Sequence, residues 1–383
     1  MFSRRTAGSL ILLLAAALLL SGCGAAPGRD EDRQVRGIWL AYYEYEPLGL
    51  TLRAGEKAYR ENADRFLEEA RKYRINTVFL QARAFDDAFW RSSTFHASEE
   101  VGGDASLTAA EAYAEFDPFG VFLEEAHKYG IQVHAWLNPY RVSYAWFYDP
   151  ADEAATARLL TAVKELLALE SGGQKIDGIH LDDYFYHAGK GYFAVGDPED
   201  RYAVVSSEEE RPESGEYRVV TPAEKRANVN RMVEAVHQTV SEAGRAFGIS
   251  PAGNYENDMN DGADVDAWLS EDGYADYVVP QIYWTDQWGE DGKTAMFSGR
   301  LDQFLAKRQN DVKLYVGLGL YRTGEEDAGN DPGWKAKDSN LAEQIAALEE
   351  KGADGYVIFS AEYLFKDCAA KELANVREYL EKK

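Results

Sequence analysis

The 383-residue sequence has little cysteine, little histidine and a deficit of positive charge. Its two cysteines cannot build a disulfide framework, and its six histidines take part in no Cys–His cluster with zinc-finger spacing. The 41 Lys and Arg residues face 66 Asp and Glu, which gives a formal charge of −25. This charge argues against binding to nucleic acid, whose phosphates require clustered Lys and Arg, and against an electrostatic hold on anionic lipid.

Several motifs of other function classes are also missing. No G-x-G-x-x-G follows the first predicted strand and no G-x-x-x-x-G-K-[ST] occurs, so nucleotide binding has no support and we predict no cofactor. No G-x-S-x-G elbow is present, which disfavours a Ser–His–Asp hydrolase.

The N-terminal segment has the features of a targeting signal. Two arginines precede the apolar run 10–20, which is too short for a comfortable membrane span and leads through small residues to Cys23. This ending resembles the bacterial lipobox, in which the cysteine is lipidated. We therefore expect a lipoprotein signal peptide at 1–22, a lipidated Cys23 within a flexible tether at 23–34, and a lipid-anchored protein of the cell envelope outside the cytoplasmic membrane. The alternative is an ordinary signal peptide with an incidental cysteine.

Eight short apolar segments alternate with helix-period segments over the rest of the chain. The predicted strands are 35–43, 77–83, 132–138, 178–182, 247–252, 277–284, 314–320 and 355–360. The predicted helices are 61–73, 118–129, 155–170, 222–246, 265–269, 299–308, 340–351 and 366–382. Such alternation favours parallel pairing through right-handed crossovers. We predict an α/β fold in which 35–383 is a single (β/α)8 TIM-barrel domain, rather than an open doubly wound sheet.

The predicted connections differ in length on the two sides of the barrel. Those leaving strands two, four and seven are long, at 84–116, 183–220 and 321–339, whereas those entering the strands are short. Barrel enzymes build their sites from the loops at the C-terminal ends of the strands. We therefore expect the functional site on that face.

Strand four ends in two adjacent aspartates. Strand alternation turns His180 and Asp182 into the barrel and places Asp182 at the upper lip, with Asp183 just beyond. Adjacent carboxylates destabilise each other's charge, so one pKa should rise. Glycoside hydrolysis needs that difference, with one protonated acid and one ionised nucleophile or stabiliser. The alternative is that Asp183 caps a turn and Asp182 pairs with a nearby arginine.

Polar and aromatic side chains also follow the other strands. The candidates for sugar binding are Gln81, Arg83, His134, Trp136, Asn138, Arg141, His180, Tyr184, Tyr255, Gln281, Tyr283, Trp284 and Arg322. Their amide, hydroxyl and guanidinium groups suit sugar hydroxyls, and their rings can stack on sugars. Aromatic residues also crowd the predicted loops, as at Trp90, Tyr144, Phe185 and Trp334, and we expect these at the rim rather than in the core.

Metal-dependent hydrolysis is the main alternative chemistry. His134, His180 and Asp182 could supply three ligands, the number that catalytic zinc requires. Against this, the first strand has no His-x-His and the chain has no His-Glu-x-x-His. We therefore predict no metal site.

Several segments together resemble the bacterial family-10-like glycosyl hydrolases. They are 35–40 (VRGIWL), 73–78 (YRINTV), 116–119 (FDPF), 130–139 (GIQVHAWLNP), 177–184 (DGIHLDDY), 249–251 (ISP) and 276–284 (DYVVPQIYW). The resemblance implies a TIM barrel, an envelope lipoprotein and hydrolysis of O-glycosidic bonds in a bacterial cell-wall polysaccharide. Characterised relatives act on peptidoglycan glycan strands stripped of their peptides.

The mechanism stays open at this level. In one version Asp182 is the nucleophile or stabiliser and Glu256 or Glu362 supplies the acid from another strand. In the other, Asp182 and Asp183 assist attack by the 2-acetamido oxygen of the sugar itself. A third reading is a barrel that binds glycan without turning it over.

Three arginines lie at or just after strand ends of this acidic chain, at Arg83, Arg141 and Arg322. Arginine is the preferred bidentate partner of a carboxylate, and muramic acid without its peptide exposes a lactyl carboxylate. We expect at least one of the three to bind that group. The alternative is that they pair with the site carboxylates.

Overall fold

Eight parallel strands close into a barrel in chain order. They are β1 (Val35–Leu40), β2 (Thr77–Arg83), β3 (Gln132–Leu137), β4 (Gly178–Leu181), β5 (Ala246–Ile249), β6 (Tyr277–Val278), β7 (Lys313–Gly319) and β8 (Gly355–Phe359). Each strand pairs with its neighbour in sequence, and β8 pairs with β1 to complete the ring. The predicted (β/α)8 TIM barrel is confirmed.

Helices between the strands cover the outside of the barrel. They are α1 (Gly55–Lys72), α2 (Pro118–Lys128), α3 (Glu153–Ala168), α4 (Pro222–Glu242), α5 (Val265–Ser270), α6 (Met296–Lys307), α7 (Asn340–Glu350) and α8 (Ala370–Glu381). Local sequence fixes several helix starts. The Asp117 carboxylate accepts the N–H groups of Phe119 and Gly120, and Pro118 stands where no N–H is needed.

This computed structural model describes residues 34–144, 146–186, 192–195, 201–203, 216–324 and 330–383. The predicted signal peptide, Cys23 and almost all of the tether lie outside these residues. Within them, none of the helices has the length and apolar character needed to cross a membrane.

Several observed strands end before the predicted residue, and for two of them the reason is identifiable. β1 ends at Leu40 because the chain turns into a short 3-10 helix at Tyr42–Glu44, where the Glu44 carboxylate accepts the Ala41 N–H at 2.8 Å. β6 ends at Val278, close to Pro280, which has no N–H to continue a strand ladder.

The barrel interior is filled by large rings opposite glycines. A Cβ at Gly178 would lie 2.5 Å from the His134 ring, and one at Gly248 would lie 2.0 Å from the Tyr277 ring. Since real Cβ atoms do not approach that closely, both positions require glycine if the two rings are to pack inside. The interior is therefore a packed core beneath the C-terminal ends of the strands, which we call the mouth.

Most loop aromatic residues fold inward, contrary to the expectation that they line the rim. Trp90, Phe185 and Trp334 are at most 3% exposed. The Trp90 indole N–H donates to Glu165 of α3 at 3.0 Å, which ties the loop after β2 to the helical layer. Tyr144, at 69% exposure, does lie at the surface. The long loops thus extend the core as well as forming the mouth.

Candidate active site

Asp182 follows β4 directly and is buried at the mouth. Its Oδ2 accepts the Trp136 indole N–H at 3.0 Å, and its Oδ1 accepts the backbone N–H of Tyr184 at 3.3 Å. Ile179 and Leu181, on the other face of β4, lie in the hydrophobic layer beneath the helices. Strand alternation therefore places this carboxyl inside, as the sequence predicts.

Asp183 reaches the opposite side of the mouth. Its Oδ1 accepts the side-chain N–H of Gln281 at 3.3 Å, and Gln281 also donates to the Ser250 carbonyl at 3.2 Å. Gln281 follows β6, whereas Trp136, the partner of Asp182, belongs to β3. The Asp182 carboxyl is thus held from β3, and the Asp183 carboxyl is held from the end of β6.

The two carboxyls titrate as a coupled pair. Burial, followed by the charge of Asp183, raises the pKa of Asp182 well above its ordinary range. Burial raises the pKa of Asp183 to about 6, although its own backbone N–H and Gln281 oppose the shift. Burial and mutual repulsion therefore keep one proton on the pair to a higher pH than on separate, exposed aspartates, so that a hydrogen-bond donor and an anion can coexist.

Tyr283 lies within electrostatic reach of this pair. Burial raises its pKa well above the ordinary value, with further contributions from Tyr321, Asp183 and Asp182. The ring is fixed by stacking on Phe359, with centroids 5.6 Å apart at 25°. The Tyr283 hydroxyl therefore stays protonated and is available as a donor beside the carboxyls.

Arg141, after β3, stands inside a frame of three rings. Its guanidinium carbon lies 4.5 Å from the centroid of Tyr184, 4.9 Å from Phe85 and 5.2 Å from Tyr144. Its positive charge lowers the pKa of Asp182 and Asp183, against the larger effect of burial. We call Phe85, Tyr144 and Tyr184 the aromatic frame.

Tyr42 joins the aromatic frame to β1. Its hydroxyl lies 3.2 Å from that of Tyr144, and its ring meets Phe85 edge-on at 5.3 Å. Gln81 fixes its backbone, since the Gln81 side-chain oxygen accepts the Tyr42 N–H at 2.8 Å. Gln81 also donates to Asn138 at 2.9 Å, so these two predicted sugar-binding residues support the wall of the mouth.

Arg83 is occupied inside the protein. It donates to the carbonyls of Asn138 and Pro139 at 2.7 and 3.2 Å, and to Asp86 at 2.8 Å. Only 1% of the residue is exposed. Arg83 thus follows neither expectation for the three arginines, because its carboxylate partner is Asp86 rather than a ligand or a member of the aspartate pair.

His134 and His180 lie in the barrel interior rather than at the mouth. The Trp39 indole, which can only donate, points at His180 Nε2 at 3.2 Å, so His180 carries its proton on Nδ1, 3.4 Å from the Tyr277 hydroxyl. Tyr277 in turn donates to His134 Nδ1 at 2.7 Å. Burial lowers the pKa of both histidines, that of His134 to about 4. Both are neutral core residues whose ring nitrogens form hydrogen bonds inside the barrel.

The metal alternative receives no geometric support from these placements. Among the residues that the structure describes, no three His, Cys, Asp or Glu side chains are grouped as a metal-ligand set.

Three predicted residues on the β5 and β6 side have other partners. Tyr255 donates to Asp266 at 2.7 Å and accepts from Lys307 at 3.0 Å. Glu256, next to it in a short helix, is exposed. The Trp284 ring stacks under the Arg300 guanidinium at 4.3 Å. In the described contacts, none of the three meets the aspartate pair.

Glu362 and Arg322 lie at the β7 and β8 side of the rim. Glu362 forms an ion pair with Lys366 at 3.0 Å, and its backbone N–H donates to Glu44 at 2.8 Å. The guanidinium of Arg322 lies 5.8 Å from the Tyr321 ring centroid. The contacts described for Glu362 do not connect it to Asp182 as an acid partner.

Two buried carboxyls near the mouth escaped the sequence analysis. Glu44 accepts the Ser360 hydroxyl at 2.6 Å, and burial raises its pKa to about 7. Asp258 accepts the Ala252 N–H at 2.7 Å through one oxygen, while its other oxygen is buried without a partner. Burial and then the charge of Asp183 raise the pKa of Asp258. The sequence signal available for each was its position: Glu44 comes shortly after strand one, and Asp258 comes shortly after strand five.

Comparison with known proteins agrees with this geometry. Residues 172–336, which include both aspartates, match the family described as glycosyl hydrolase-like 10. The glycosyl hydrolase DigH of Escherichia coli K12 is 26% identical over 438 aligned positions that cover 93% of each chain. The glycosyl hydrolase YngK of Bacillus subtilis is 24% identical, covering 88% of this chain and 70% of that protein.

A solved structure shows the same fold. The glycoside hydrolase domain of PgaB (BpsB) from Bordetella bronchiseptica superposes with a TM-score of 0.54 at 12% identity, covering 90% of this chain and 99% of that one. The sequence matches and the barrel agree with the resemblance found in the sequence: this chain is similar to the family-10-like glycosyl hydrolases, and it is a glycoside hydrolase built on a TIM barrel.

Proposed function

We propose that this protein hydrolyses O-glycosidic bonds in bacterial peptidoglycan glycan strands that have lost their peptides. The observation that carries the proposal is the Asp182–Asp183 pair, which is buried at the mouth and in which burial raises the pKa of both carboxyls. Beside the pair, the rings of the aromatic frame can stack on sugars. Tyr144, one of these rings, is 69% exposed and is therefore accessible from solvent. The polymer itself is inferred from the family resemblance.

The reaction that fits this pair is assisted by the substrate. One carboxyl donates its proton to the glycosidic oxygen as the bond from that oxygen to the anomeric carbon breaks. The 2-acetamido carbonyl oxygen of the same sugar forms the new bond to that carbon, while the ionised carboxylate accepts a hydrogen bond from the acetamido N–H. Water then attacks the anomeric carbon, the bond from the acetamido oxygen to that carbon breaks, and the water returns a proton to the first carboxylate.

Asp183 is favoured over Glu256 and Glu362 as the catalytic partner of Asp182. Glu256 is exposed on its helix, and Glu362 is held by Lys366. In the described contacts, neither residue meets Asp182. Asp183 already shares the mouth with Asp182.

The proposed site of action is the cell envelope, with Cys23 as the lipid attachment point. A glycan of the cell wall is accessible only outside the cytoplasmic membrane, so the substrate and the predicted anchor imply the same compartment.

Reducing-end release from a panel of polymers tests the proposal. Peptide-free strands, intact sacculi and chitin oligomers are incubated with the purified protein, and Asp182→Asn serves as the blank. We expect turnover of the stripped strands, slow or no turnover of intact sacculi, and none by the variant. Glycan binding without turnover of any polymer would instead support the non-catalytic glycan-binding barrel.

A further inference from the structure

We propose that Arg141 is a specificity residue that binds a carboxylate carried by the substrate sugar next to the aspartate pair. The inference rests on the proposed function and names the chemical feature of the glycan that the site selects. It concerns Arg141, one of the three arginines considered from the sequence, whose guanidinium lies in the aromatic frame.

The first argument is that no carboxylate of the described residues contacts Arg141 directly. Arg141 is 7% exposed, yet in the described part of the chain no Asp or Glu forms an ion pair with it. Its Nε–H is buried without an acceptor. Buried guanidinium groups are ordinarily paired, because an unpaired buried charge is costly. A ligand that supplies an anion would complete this site.

The second argument is the rigidity of the guanidinium. The aromatic frame contacts it from three loops, through Phe85 after β2, Tyr144 after β3 and Tyr184 after β4. A hydrogen bond with Tyr184 adds to this hold. A planar guanidinium fixed by stacking is suited to the two parallel hydrogen bonds that a carboxylate accepts.

The third argument is charge balance at the mouth. An ionised carboxylate in the aspartate pair by itself repels an anionic sugar. Arg141 offsets this charge, since it acts electrostatically on both aspartates. Without Arg141, the same mouth would favour a neutral glycan over a carboxylated one.

Arg83 does not offer this arrangement. Asp86 and two carbonyl groups already occupy its guanidinium. In the described part of the chain, Arg141 thus differs from Arg83 because no carboxylate contacts it. It is also buried and acts electrostatically on the aspartate pair.

Two sugar-borne carboxylates share the chemistry, namely the lactyl ether of muramic acid and the carboxylate of a uronic acid. Binding measurements on the Asp182→Asn protein keep the oligosaccharides intact. The probes are a peptide-free tetrasaccharide of alternating N-acetylglucosamine and N-acetylmuramic acid, its lactyl methyl ester, chitotetraose and a hyaluronan tetrasaccharide. The dissociation constant is measured with Arg141 intact and in Arg141→Lys, Arg141→Gln and the surface control Arg53→Gln.

We expect the free lactyl acid to bind about 10- to 100-fold more tightly than its methyl ester, as for hydrogen bonds to a charged group. Arg141→Gln should abolish this advantage while chitotetraose binding persists, Arg141→Lys should restore part of it, and Arg53→Gln should leave it unchanged. An equal, Arg141-dependent advantage for hyaluronan would assign the carboxylate recognition to uronic acids as well.

The inference is overturned if Arg141→Gln retains the preference for the free acid, or if it weakens the ester and the acid equally. Because these are binding constants, they are separate from turnover. A wild-type protein without hydrolytic activity would contradict the proposed function while leaving this comparison readable.

Discussion

At the scale of single residues, burial rather than residue type distinguishes the acidic groups of this protein. Asp183 and Glu256 are both carboxylic acids near the end of a barrel strand. Desolvation raises the pKa of Asp183 to about 6, whereas Glu256 is exposed on its helix. Proton transfer near neutral pH favours a group whose pKa lies near the working pH. The structure therefore selects the aspartate pair from a chain rich in carboxylates.

The raised pKa of Asp183 predicts an acid limb in the rate profile. Below about pH 6 the pair gains a second proton and loses the anion that the proposed reaction needs. We expect kcat/KM on peptide-free strands to rise with pH through about 6 and then to level off. Initial rates between pH 4.5 and 8.5 measure this limb.

The matched comparison is Asp183→Asn, whose residual activity should lack the limb near pH 6. A limb near pH 4 in the wild type, typical of an exposed carboxylate, would contradict the assignment. So would an unchanged limb in the variant.

Single residues also show where sequence reasoning was insufficient. Glu44 accepts a hydrogen bond from Ser360, 316 positions later in the chain, and only the closed barrel brings the two together. Asp258 is buried although it lies in a short polar helix, Tyr255–Asp261. The local sequence pattern predicts the burial of neither carboxyl.

At the scale of elements, hydrophobic periodicity predicted the strands well because each one is buried on both faces. Each of the eight predicted segments overlaps an observed barrel strand, and alternation correctly turned His180 and Asp182 inward. The depth of a side chain below the mouth was not predictable from the same periodicity. It depends on the stagger between neighbouring strands, and this stagger places His180 below the mouth beside Tyr277.

The hydrogen-bond chain across β1, β4, β6 and β3 predicts a pH-dependent stability. Burial lowers the pKa of His134 to about 4, so the folded state binds this proton less readily than the unfolded state, whose histidine titrates near 6.5. The stabilisation is complete above pH 6.5 and is lost as the pH falls toward 4. The shift corresponds to about 3 kcal/mol for this residue.

Urea unfolding between pH 7 and 4.5 measures this loss. In His134→Asn, the free energy of unfolding should fall less steeply with decreasing pH than in the wild type, although His180 still contributes. Replacement of the exposed His96 by Asn should leave the wild-type slope unchanged. Equal slopes for His134→Asn and wild type would show that His134 is not the titrating group.

At the scale of the whole molecule, an acidic protein places the positive charge of Arg141 at the mouth of its barrel. The formal charge is −25, yet Arg141 stands among aromatic rings beside the aspartate pair. The composition argues against nucleic-acid partners, the missing motifs give nucleotide binding no support, and the loop asymmetry predicts the functional face. The lipid anchor at Cys23 remains a prediction from the sequence.

The central claim is that glycosidic hydrolysis takes place at the Asp182–Asp183 pair. The measurement that tests it most directly is reducing-end release from peptide-free peptidoglycan strands by Asp182→Asn, Asp183→Asn and the rim control Glu362→Gln. We predict that each aspartate variant loses about 10²- to 10⁴-fold in kcat, while Glu362→Gln stays within about two-fold of the wild type. Wild-type rates in both aspartate variants, with loss in Glu362→Gln, would contradict the account and move the chemistry to the end of β8.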